Sequence, residues 1–287
     1  LMESDQAKAL AGRPLGPYQI VSRLGAGGMG EVYLAQDTRL GRKVALKVLP
    51  GFFASDAERL NRFKREARAA SALNHPNVAT IYELGEAAES NYIAMEYVEG
   101  QTLAARIQGQ PLASAEIVDI ATQIADALDE AHSKGITHRD IKPANVMLTA
   151  RSQVKVLDFG LAKIREQAEQ AGQLTTAAMT KPGIVMGTVQ YMSPEQALGH
   201  LVDQRSDLFS LGIVMYEMAT GRLPFCGATA TETIEQIRHS QPPAIARLNY
   251  EVSAELERII RKCLEKECER RYQNARDLLI DLKNLKR

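Results

Sequence analysis

The sequence has no tryptophan and only three cysteines among its 287 residues, Cys226, Cys263 and Cys268. Because three is an odd number and their spacing matches no metal-ligand pattern, we expect free thiols in a reduced, cytoplasmic compartment. No apolar run approaches the roughly 20 residues that span a bilayer, so we expect no membrane contact within this chain. Basic and acidic residues number 35 each, and this balance argues against nucleic acid as a partner.

Three glycines stand close together in the stretch RLGAGGMGEVYLA, with the spacing Gly25-x-Gly27-x-x-Gly30. Two unrelated nucleotide-binding designs use this spacing. In a dinucleotide-binding fold, the glycines close a turn from a strand into a helix whose N-terminus holds a pyrophosphate. In the other design they form a flexible cover between two strands, over the phosphates of a nucleotide. The glycines alone do not separate these designs from an ordinary turn.

The residues after the glycines decide between the two designs. A dinucleotide site requires a helix next, but residues 31–38 (EVYLAQDT) alternate and are rich in β-formers, which predicts a strand. Gly41 then suits a polar turn, and residues 43–49 (KVALKVL) predict a second strand. The predicted hairpin excludes the dinucleotide site. Lys47 lies in the second strand, where a lysine either extends its ammonium to water or reaches a phosphate.

One helix and two further strands are predicted in the rest of the first hundred residues. The helix, residues 55–73, opens with Ser55 and Glu58 in capping-box spacing, and Glu66 lies beside its apolar stripe. The strands are predicted at residues 78–84 and 92–98. Beyond a connector the sequence turns mostly helical, with predicted helices at residues 114–135, 207–221, 253–265 and 274–285. A strand-rich part followed by a helical part predicts two lobes with a ligand cleft where they join.

Residues that suit phosphate chemistry lie between the first two of these four helices. The stretch THRDIKPANVML places Asp140, Lys142 and Asn145 within six residues, and Asp158 follows a short predicted strand. Each of them has an ordinary explanation, such as a turn residue or a strand-end cap. Together they supply one carboxylate for a nucleophile's proton, one lysine for phosphate charge and two oxygen ligands for hard Mg²⁺.

The motifs of the chain, taken together, resemble those of the eukaryotic-type (Hanks-type) protein kinases. GAGGMGEVYLA, VALK, HRDIKPAN, DFG, SPE and DLFSLG occur in the family's order over nearly the whole chain. The resemblance implies an α+β, bilobal fold with ATP in the cleft between the lobes. A small antiparallel-sheet N-lobe with one major helix is expected at residues 18–98, and a larger, mainly helical C-lobe at residues 99–287. Residues 1–17 are expected to be an N-terminal extension.

The resemblance also implies a role for each residue of the catalytic set. Lys47, paired with Glu66, reaches the phosphates of ATP. Asp140 orients and deprotonates the substrate hydroxyl, while Lys142 neutralises the moving phosphoryl group. The implied ligands of Mg²⁺, for which Mn²⁺ can substitute, are Asn145 and Asp158.

The implied nucleotide site has a glycine-rich cover and an adenine pocket. The cover consists of Leu24, Gly25, Ala26, Gly27, Gly28, Met29 and Gly30. Met95 is the implied gatekeeper, the side chain that closes the pocket behind adenine. The other implied pocket residues are Val32 and Ala45 as the ceiling, Met147 as the floor, and the backbones of Glu96 and Val98 at the adenine edge. All of these are also ordinary core residues, so their assignment rests on the resemblance alone.

Two features indicate the type of kinase. Lys142 follows the aspartate by two residues, and Thr188 in GTVQYMSPE matches the substrate-binding loop, both as in Ser/Thr kinases. GGMGEVYLA and GTVQYMSPEQA look most like bacterial receptor-type kinases. This resemblance implies protein substrates with Ser or Thr. It also implies a cytoplasmic location, and the cytoplasmic domain of a longer membrane-anchored protein is one form of it. The residues that depart from the family's usual choice are Phe209 for Trp, Ser193 for Ala and Cys268 for Pro.

The loop from Asp158 to Glu195 is expected to regulate activity through phosphorylation. Its central stretch is polar and lacks a convincing period, although an inert surface loop explains that too. The candidate threonines are Thr180 first, and then Thr175 and Thr176. The cationic partners that the resemblance implies for a loop phosphate are Arg139, Lys163 and Arg62. Because bacterial relatives phosphorylate one another's loops, a second copy of the chain is an expected partner.

Two other functions of the same fold stay open at this point. One is a catalytically inactive scaffold that binds ATP, although Lys47, Asp140, Asn145 and Asp158 are all present. The other is a small-molecule kinase, although such relatives usually lack the long segment that ends in SPE. Transfer of phosphate to a protein separates both from the favoured function.

Overall fold

A computed structural model describes residues 12–27, 30–49, 57–87, 90–159 and 189–286 of the chain. The chain divides into two compact units. Unit 1 comprises Leu1–Asn74 and Ala79–Glu99, whereas unit 2 comprises His75–Val78 and Gly100–Arg287. Among the described residues, unit 1 is mostly strand and unit 2 is mostly helix.

Unit 1 is built on an antiparallel sheet. Its described elements are, in chain order, β1 (Pro14–Leu15), β2 (Tyr18–Gly27), β3 (Gly30–Asp37), β4 (Arg42–Val48), helix α1 (Ala57–Ser71), β5 (Ile81–Ala87) and β6 (Ser90–Glu96). The strand order is β1-β2-β3-β4-β6-β5. The predicted hairpin is confirmed as β3 and β4, and Gly41 in its turn has a φ of 66°, which glycine adopts without strain. The predicted capping-box serine, Ser55, lies outside the described residues.

The core of unit 1 lies on one face of this sheet. Tyr33, Ala35, Val44, Leu46 and Ala94 are all 0% exposed and belong to one apolar cluster. Tyr33 lies opposite Leu46, and Ala35 lies opposite Val44, so these pairs point to the same side of the sheet. Because successive residues of a strand alternate between faces, the residues between them face the other way.

Unit 2 combines a small antiparallel sheet with most of the helices. Its strands are β7 (Gln101–Thr102), β8 (Val146–Leu148) and β9 (Val154–Val156). Its described α-helices are α2 (Leu103–Ile107), α3 (Ser114–Ser133), α4 (Pro194–Ala197), α5 (Gln204–Thr220), α6 (Ala230–His239), α7 (Ala254–Cys263) and α8 (Ala275–Leu285). The four helices predicted for this part of the sequence are confirmed as α3, α5, α7 and α8, and the helix predicted at residues 55–73 is confirmed as α1.

Helix α5 is the centre of unit 2, as its apolar composition predicts. Nearly all of its side chains are buried, and it packs against α3 and α7. Asp203 caps its start by accepting a hydrogen bond from Arg205 N at 2.8 Å. The helix ends at Gly221, which has a φ of 70°. A Cβ at Gly221 would lie 2.3 Å from Gly109 O, so a larger residue does not fit this close approach.

Phe209, which departs from the usual family choice, lies in a packed cluster of two aromatic rings and two cations. Phe209 is fully buried and stacks on Phe225, with ring centroids 6.2 Å apart. The Lys266 ammonium lies 3.6 Å from the centroid of Phe225, and the Arg271 guanidinium lies 4.8 Å from that of Phe209. Cations over ring faces are favourable, so these two cations stabilise the buried rings. Cys268 is only half-buried and begins a short 3₁₀ turn.

The strand predicted at residues 78–84 begins later, at Ile81, and the first predicted residue, Val78, belongs to unit 2 together with the three residues before it. Asn77 is buried there, and its Nδ2 donates a hydrogen bond to Val154 O at 2.9 Å. Val78 forms a parallel bridge with β9. Pairing between distant parts of the sequence therefore overrides the local strand propensity.

Candidate active site

The loop between α3 and β8 is held by the buried carboxylate of Asp207, in the first turn of α5. Its oxygens accept hydrogen bonds from His138 N at 2.8 Å and Arg139 N at 2.7 Å, and His132 Nε2 lies 2.8 Å away. The side chains of His132 and Asp207 are only 4% and 0% exposed. Burial by itself raises the pKa of Asp207, but the bond with His132 and the surrounding donors hold it below its ordinary value. The carboxylate therefore stays ionised and fixes the loop backbone.

Arg139, directly before Asp140, has a left-handed backbone with a φ of 67°. Such a conformation is uncommon for a residue other than glycine and persists where the surrounding contacts enforce it. Its N is bound by Asp207, and its O accepts a hydrogen bond from Gln196 Nε2 at 2.8 Å. Asp158 is also left-handed, with a φ of 60°. Two members of the predicted site thus have strained backbones, which is frequent in functional sites.

The loop brings Asp140, Lys142 and Asn145 together, as the sequence predicts. Lys142 Nζ lies 2.7 Å from Asp140 Oδ2. Asn145 Nδ2 donates hydrogen bonds to Asp140 O at 2.8 Å and to Asp140 Oδ2 at 3.1 Å. The Asp140 side chain nevertheless remains 21% exposed. A carboxylate that is held in place and still accessible suits the acceptance of a proton from a hydroxyl.

Asn145 and Asp158 supply oxygen atoms that suit a hard cation. Leu157 N donates to Asn145 O at 2.9 Å, which ties the residue before Asp158 to Asn145. Asn145 Nδ2 donates to Asp140, so the amide oxygen is the side-chain atom of Asn145 that suits a metal. Mg²⁺ usually takes one or two protein ligands and completes its shell with phosphates and water. In the part of the chain that the structure describes, no group of three or more His, Cys, Asp or Glu could hold a metal ion.

In unit 1, four residues predicted for the nucleotide site share one face of the sheet. Val32 lies opposite Lys47 between β3 and β4, and Ala45 lies opposite Met95 between β4 and β6. Ala45 and Lys47 are two residues apart, so all four side chains point to the same side. This side is the reverse of the core face. Lys47 is nevertheless only 5% exposed.

The glycine-rich cover falls at the junction of β2 and β3. Gly25 pairs with Val32, and Gly27 pairs with Gly30. Gly30 has a φ of 116°, which strongly favours glycine. The other described members of the cover, both exposed, are Leu24 and Ala26. The members outside the described residues are Gly28 and Met29.

The remaining predicted residues are distributed over both units. Glu96 ends β6, where its N donates to Thr80 O at 2.8 Å. Val98 is buried in unit 1, Glu66 lies half-buried in α1, and Met147 lies in β8 of unit 2. Arg62 belongs to α1, but its side chain lies outside the described residues. The predicted residues that lie outside them altogether are Lys163, Thr175, Thr176, Thr180 and Thr188.

Asp207 and Gln196 lie in the motif stretches DLFSLG and GTVQYMSPEQA, but sequence reasoning assigns neither of them a part in this site. The available signals are weak. For Asp207, the signal is an acidic residue in the first turn of an apolar helix. For Gln196, it is a glutamine three residues after Ser193, which matches a capping box. Neither signal indicates that the residue contacts the loop between α3 and β8.

Comparison with known proteins places these residues in a family. The profile of the protein kinase domain matches residues 18–280. The chain is 42% identical over 269 residues to the serine/threonine-protein kinase PrkC of Bacillus subtilis. It is 43% identical over 271 residues to the serine/threonine-protein kinase PknB of Mycobacterium tuberculosis. These alignments cover 93% and 92% of this chain but 40% and 42% of the relatives, so the chain spans about two fifths of the curated relatives it matches.

The fold agrees with this assignment. A crystal structure of the PknI kinase domain of Mycobacterium tuberculosis is 29% identical to the chain, with a TM-score of 0.72 over 96% of this chain and 98% of that one. The kinase fold predicted from the motifs is confirmed. Among the described residues, no helix is long and apolar enough to cross a membrane. The chain therefore belongs to the protein kinase family, within its eukaryotic-type (Hanks-type) Ser/Thr branch.

Proposed function

We propose that the chain transfers the γ-phosphate of ATP to serine and threonine hydroxyls of proteins, with Asp140 as the catalytic base. The observation that carries this proposal is the grouping of Asp140, Lys142 and Asn145 on a loop anchored by a buried carboxylate. Positioning and charge stabilisation supply most of the acceleration in phosphoryl transfer. Groups already held within hydrogen-bond distance of one another suit that reaction.

In the proposed step, one bond forms, one bond breaks and one proton is transferred. The substrate hydroxyl oxygen bonds to the γ-phosphorus while the bond from that phosphorus to the bridging oxygen breaks, and ADP leaves. Asp140 accepts the hydroxyl proton. Lys142, whose Nζ lies 2.7 Å from Asp140 Oδ2, offers its positive charge to the moving phosphoryl group. An ammonium suits this role because it is a compact charge with three donors.

For the nucleotide, we assign Lys47 to the α- and β-phosphates, with Glu66 as its orienting partner. Asn145 and Asp158 are assigned to Mg²⁺, for which Mn²⁺ can substitute. A divalent ion there would neutralise charge on the phosphates. The residues assigned to adenine are Val32, Ala45, Met95, Met147 and the backbones of Glu96 and Val98. The shared sheet face of Val32, Ala45, Lys47 and Met95 supports this assignment.

The gatekeeper assignment predicts a change in inhibitor selectivity. Met95 is long and 7% exposed, so it should close the adenine pocket to bulky groups. The Met95→Gly variant should bind enlarged adenine analogues that the parent protein excludes. The Met95→Leu variant should exclude them, as the parent does. The measurement is inhibition of phosphate transfer by such analogues in the three proteins, at matched melting temperature. Equal inhibition of all three would show that Met95 is not the gate.

We further propose that the loop from Asp158 to Glu195 is phosphorylated by a second copy of the chain. Thr180 is the first candidate, followed by Thr175 and Thr176, and a phosphate of about −2 charge there would pair with cations such as Arg139. Replacing all three threonines with alanine should lower the initial rate on an added protein substrate. Unchanged rates, with a parent shown to be phosphorylated at these residues, would leave the loop without a regulatory role.

The proposed function is tested by incubating the protein with Mg²⁺, γ-labelled ATP and a generic acceptor such as casein. We expect label on the acceptor as phosphoserine and phosphothreonine, and not as phosphotyrosine. ATP binding in a thermal shift without transfer would favour the inactive scaffold. Transfer to small alcohols but not to protein would favour a small-molecule kinase. We also propose that residues 18–98 and 99–287 are the N-lobe and C-lobe of one kinase domain, and that the chain is cytoplasmic. The cytoplasmic domain of a longer membrane-anchored protein is one form that this location can take.

A further inference from the structure

Gln196 uses both ends of its side-chain amide in two different parts of unit 2. Ser193 is the N-cap of α4, and its Oγ accepts a hydrogen bond from Gln196 N at 3.3 Å. In return, Gln196 Oε1 accepts one from Ser193 N at 3.1 Å. This completes a capping box. The other end, Nε2, donates to Arg139 O at 2.8 Å, which lies on the catalytic loop.

The carbonyl that Gln196 binds belongs to the peptide group that leads into Asp140. The N–H of the same peptide group donates to His138 Nδ1 at 3.2 Å. Because a peptide group is planar, a hydrogen bond at each edge fixes its rotation. Arg139 has a left-handed φ of 67°, a strained conformation that its surroundings must enforce. Gln196 therefore holds the peptide plane that orients the backbone of Asp140.

The helix that carries Gln196 is itself firmly anchored. Glu195, its neighbour, accepts two hydrogen bonds from Arg271, at 2.7 Å and 2.8 Å, and one from Ser206. The Arg271 side chain is 0% exposed. Two residues before the cap, the Tyr191 hydroxyl donates to Glu217 Oε2 at 2.7 Å. Because α4 is anchored in this way, the side-chain amide of Gln196 can hold the Arg139 carbonyl in one position.

We propose that Gln196 is a positioning residue that sets the orientation of Asp140 through the carbonyl of Arg139. This inference rests on the proposed function, because it assigns Gln196 a part in the reaction of Asp140. Gln196 touches neither nucleotide nor substrate in this role. Its loss should therefore lower kcat and leave the KM for ATP unchanged.

The test compares a change that removes the Gln196–Arg139 bond with a change that removes one hydrogen bond of the cap. Gln196→Glu keeps an oxygen for Ser193 N but removes the donor to Arg139 O and places negative charge beside that carbonyl. Ser193→Ala removes the cap oxygen and the hydrogen bond from Gln196 N, but it removes no atom of the Gln196–Arg139 bond. A lost cap and a lost hydrogen bond affect stability by similar, modest amounts. Stability alone therefore does not separate the variants, whereas kcat should.

We expect Gln196→Glu to lower kcat roughly tenfold or more, with the KM for ATP within about twofold of the parent value. Ser193→Ala should keep kcat within about twofold. Gln196→Met, which is uncharged and similar in length, should follow the glutamate variant in direction. Thermal melting of all three confirms that the comparison is made on folded protein.

The inference is overturned if the parent transfers phosphate and both Gln196 variants keep its kcat. It is also overturned if Ser193→Ala loses as much kcat as they do, because the cap alone would then explain the effect. Failure of the underlying function has a different signature. In that case the parent itself transfers no phosphate, or Asp140→Asn transfers it as fast as the parent.

Discussion

Replacing Asp140 with asparagine should lower kcat by roughly a hundredfold to ten-thousandfold while the fold and the affinity for ATP stay nearly unchanged. The change is isosteric and removes the group that accepts the hydroxyl proton. An amide oxygen can still accept a hydrogen bond from Lys142 or Asn145, whose nitrogens lie 2.7 Å and 3.1 Å from Asp140 Oδ2. The measurement is the steady-state rate on a protein acceptor, together with ATP binding and thermal melting.

A matched control distinguishes loss of this carboxylate from loss of any aspartate. Asp129, on α3, forms an ion pair at 3.4 Å with Arg276, whose side chain is 74% exposed. Such surface pairs contribute little, so Asp129→Asn should keep the parent rate. If folded Asp140→Asn kept most of the parent rate, Asp140 would not be the proton acceptor.

Arg271→Met should be the most destabilising of the proposed substitutions, at about 3–5 kcal/mol in the free energy of unfolding. Arg271 makes a bidentate ion pair with Glu195 at 2.7 Å and 2.8 Å, and their side chains are 0% and 10% exposed. Without the guanidinium, the Glu195 carboxylate stays buried and uncompensated. Urea denaturation at neutral pH measures the difference. Arg270→Met is the control, because Arg270 is 68% exposed and should change the free energy by less than about 0.5 kcal/mol.

Because of this ion pair, the difference in the free energy of unfolding between the parent and Arg271→Met should depend on pH. Burial raises the pKa of the Glu195 carboxyl, but the hydrogen bonds from Arg271 lower it to about 2, from an ordinary 4.5. A carboxyl whose pKa is lowered by folding contributes stability above its unfolded pKa and loses it as the pH falls towards the folded value. The difference in the free energy of unfolding between the parent and Arg271→Met should therefore decrease as the pH falls from 4.5 towards 2. A difference in free energy that stays constant over this pH range would show that Glu195 does not depend on Arg271 for its charge.

Local sequence patterns predict the hairpin of β3 and β4 and the helices α3, α5, α7 and α8. These elements have clear periodicity and recognisable ends, such as Gly221 after α5. The late start of β5 could not be predicted, because Val78 pairs with Val156 rather than continuing that strand. Helix α6, which the sequence analysis does not predict, begins after the cap residue Thr229.

The residues of the candidate site are readable from motifs, but the contacts that position them are not. Asp140, Lys142 and Asn145 lie within six residues, so one loop brings them together. Asp207 is 68 residues from Arg139, and Gln196 is 57 residues from it. A capping-box pattern or an acidic helix start satisfies its local role without any partner so far along the chain. Only the packed unit shows that both converge on one backbone segment.

The most direct measurement of the central claim uses the Asp140→Asn protein as the substrate of the parent. A small amount of parent is incubated with an excess of this variant, Mg²⁺ and γ-labelled ATP, and the phosphorylated residues are mapped by mass spectrometry. We predict phosphate on serine or threonine of the variant, at a rate proportional to the amount of parent and absent without it. Label that appears on the variant without parent, or no transfer by a parent that binds ATP, would contradict the assignment of Asp140 as the catalytic base of a protein kinase.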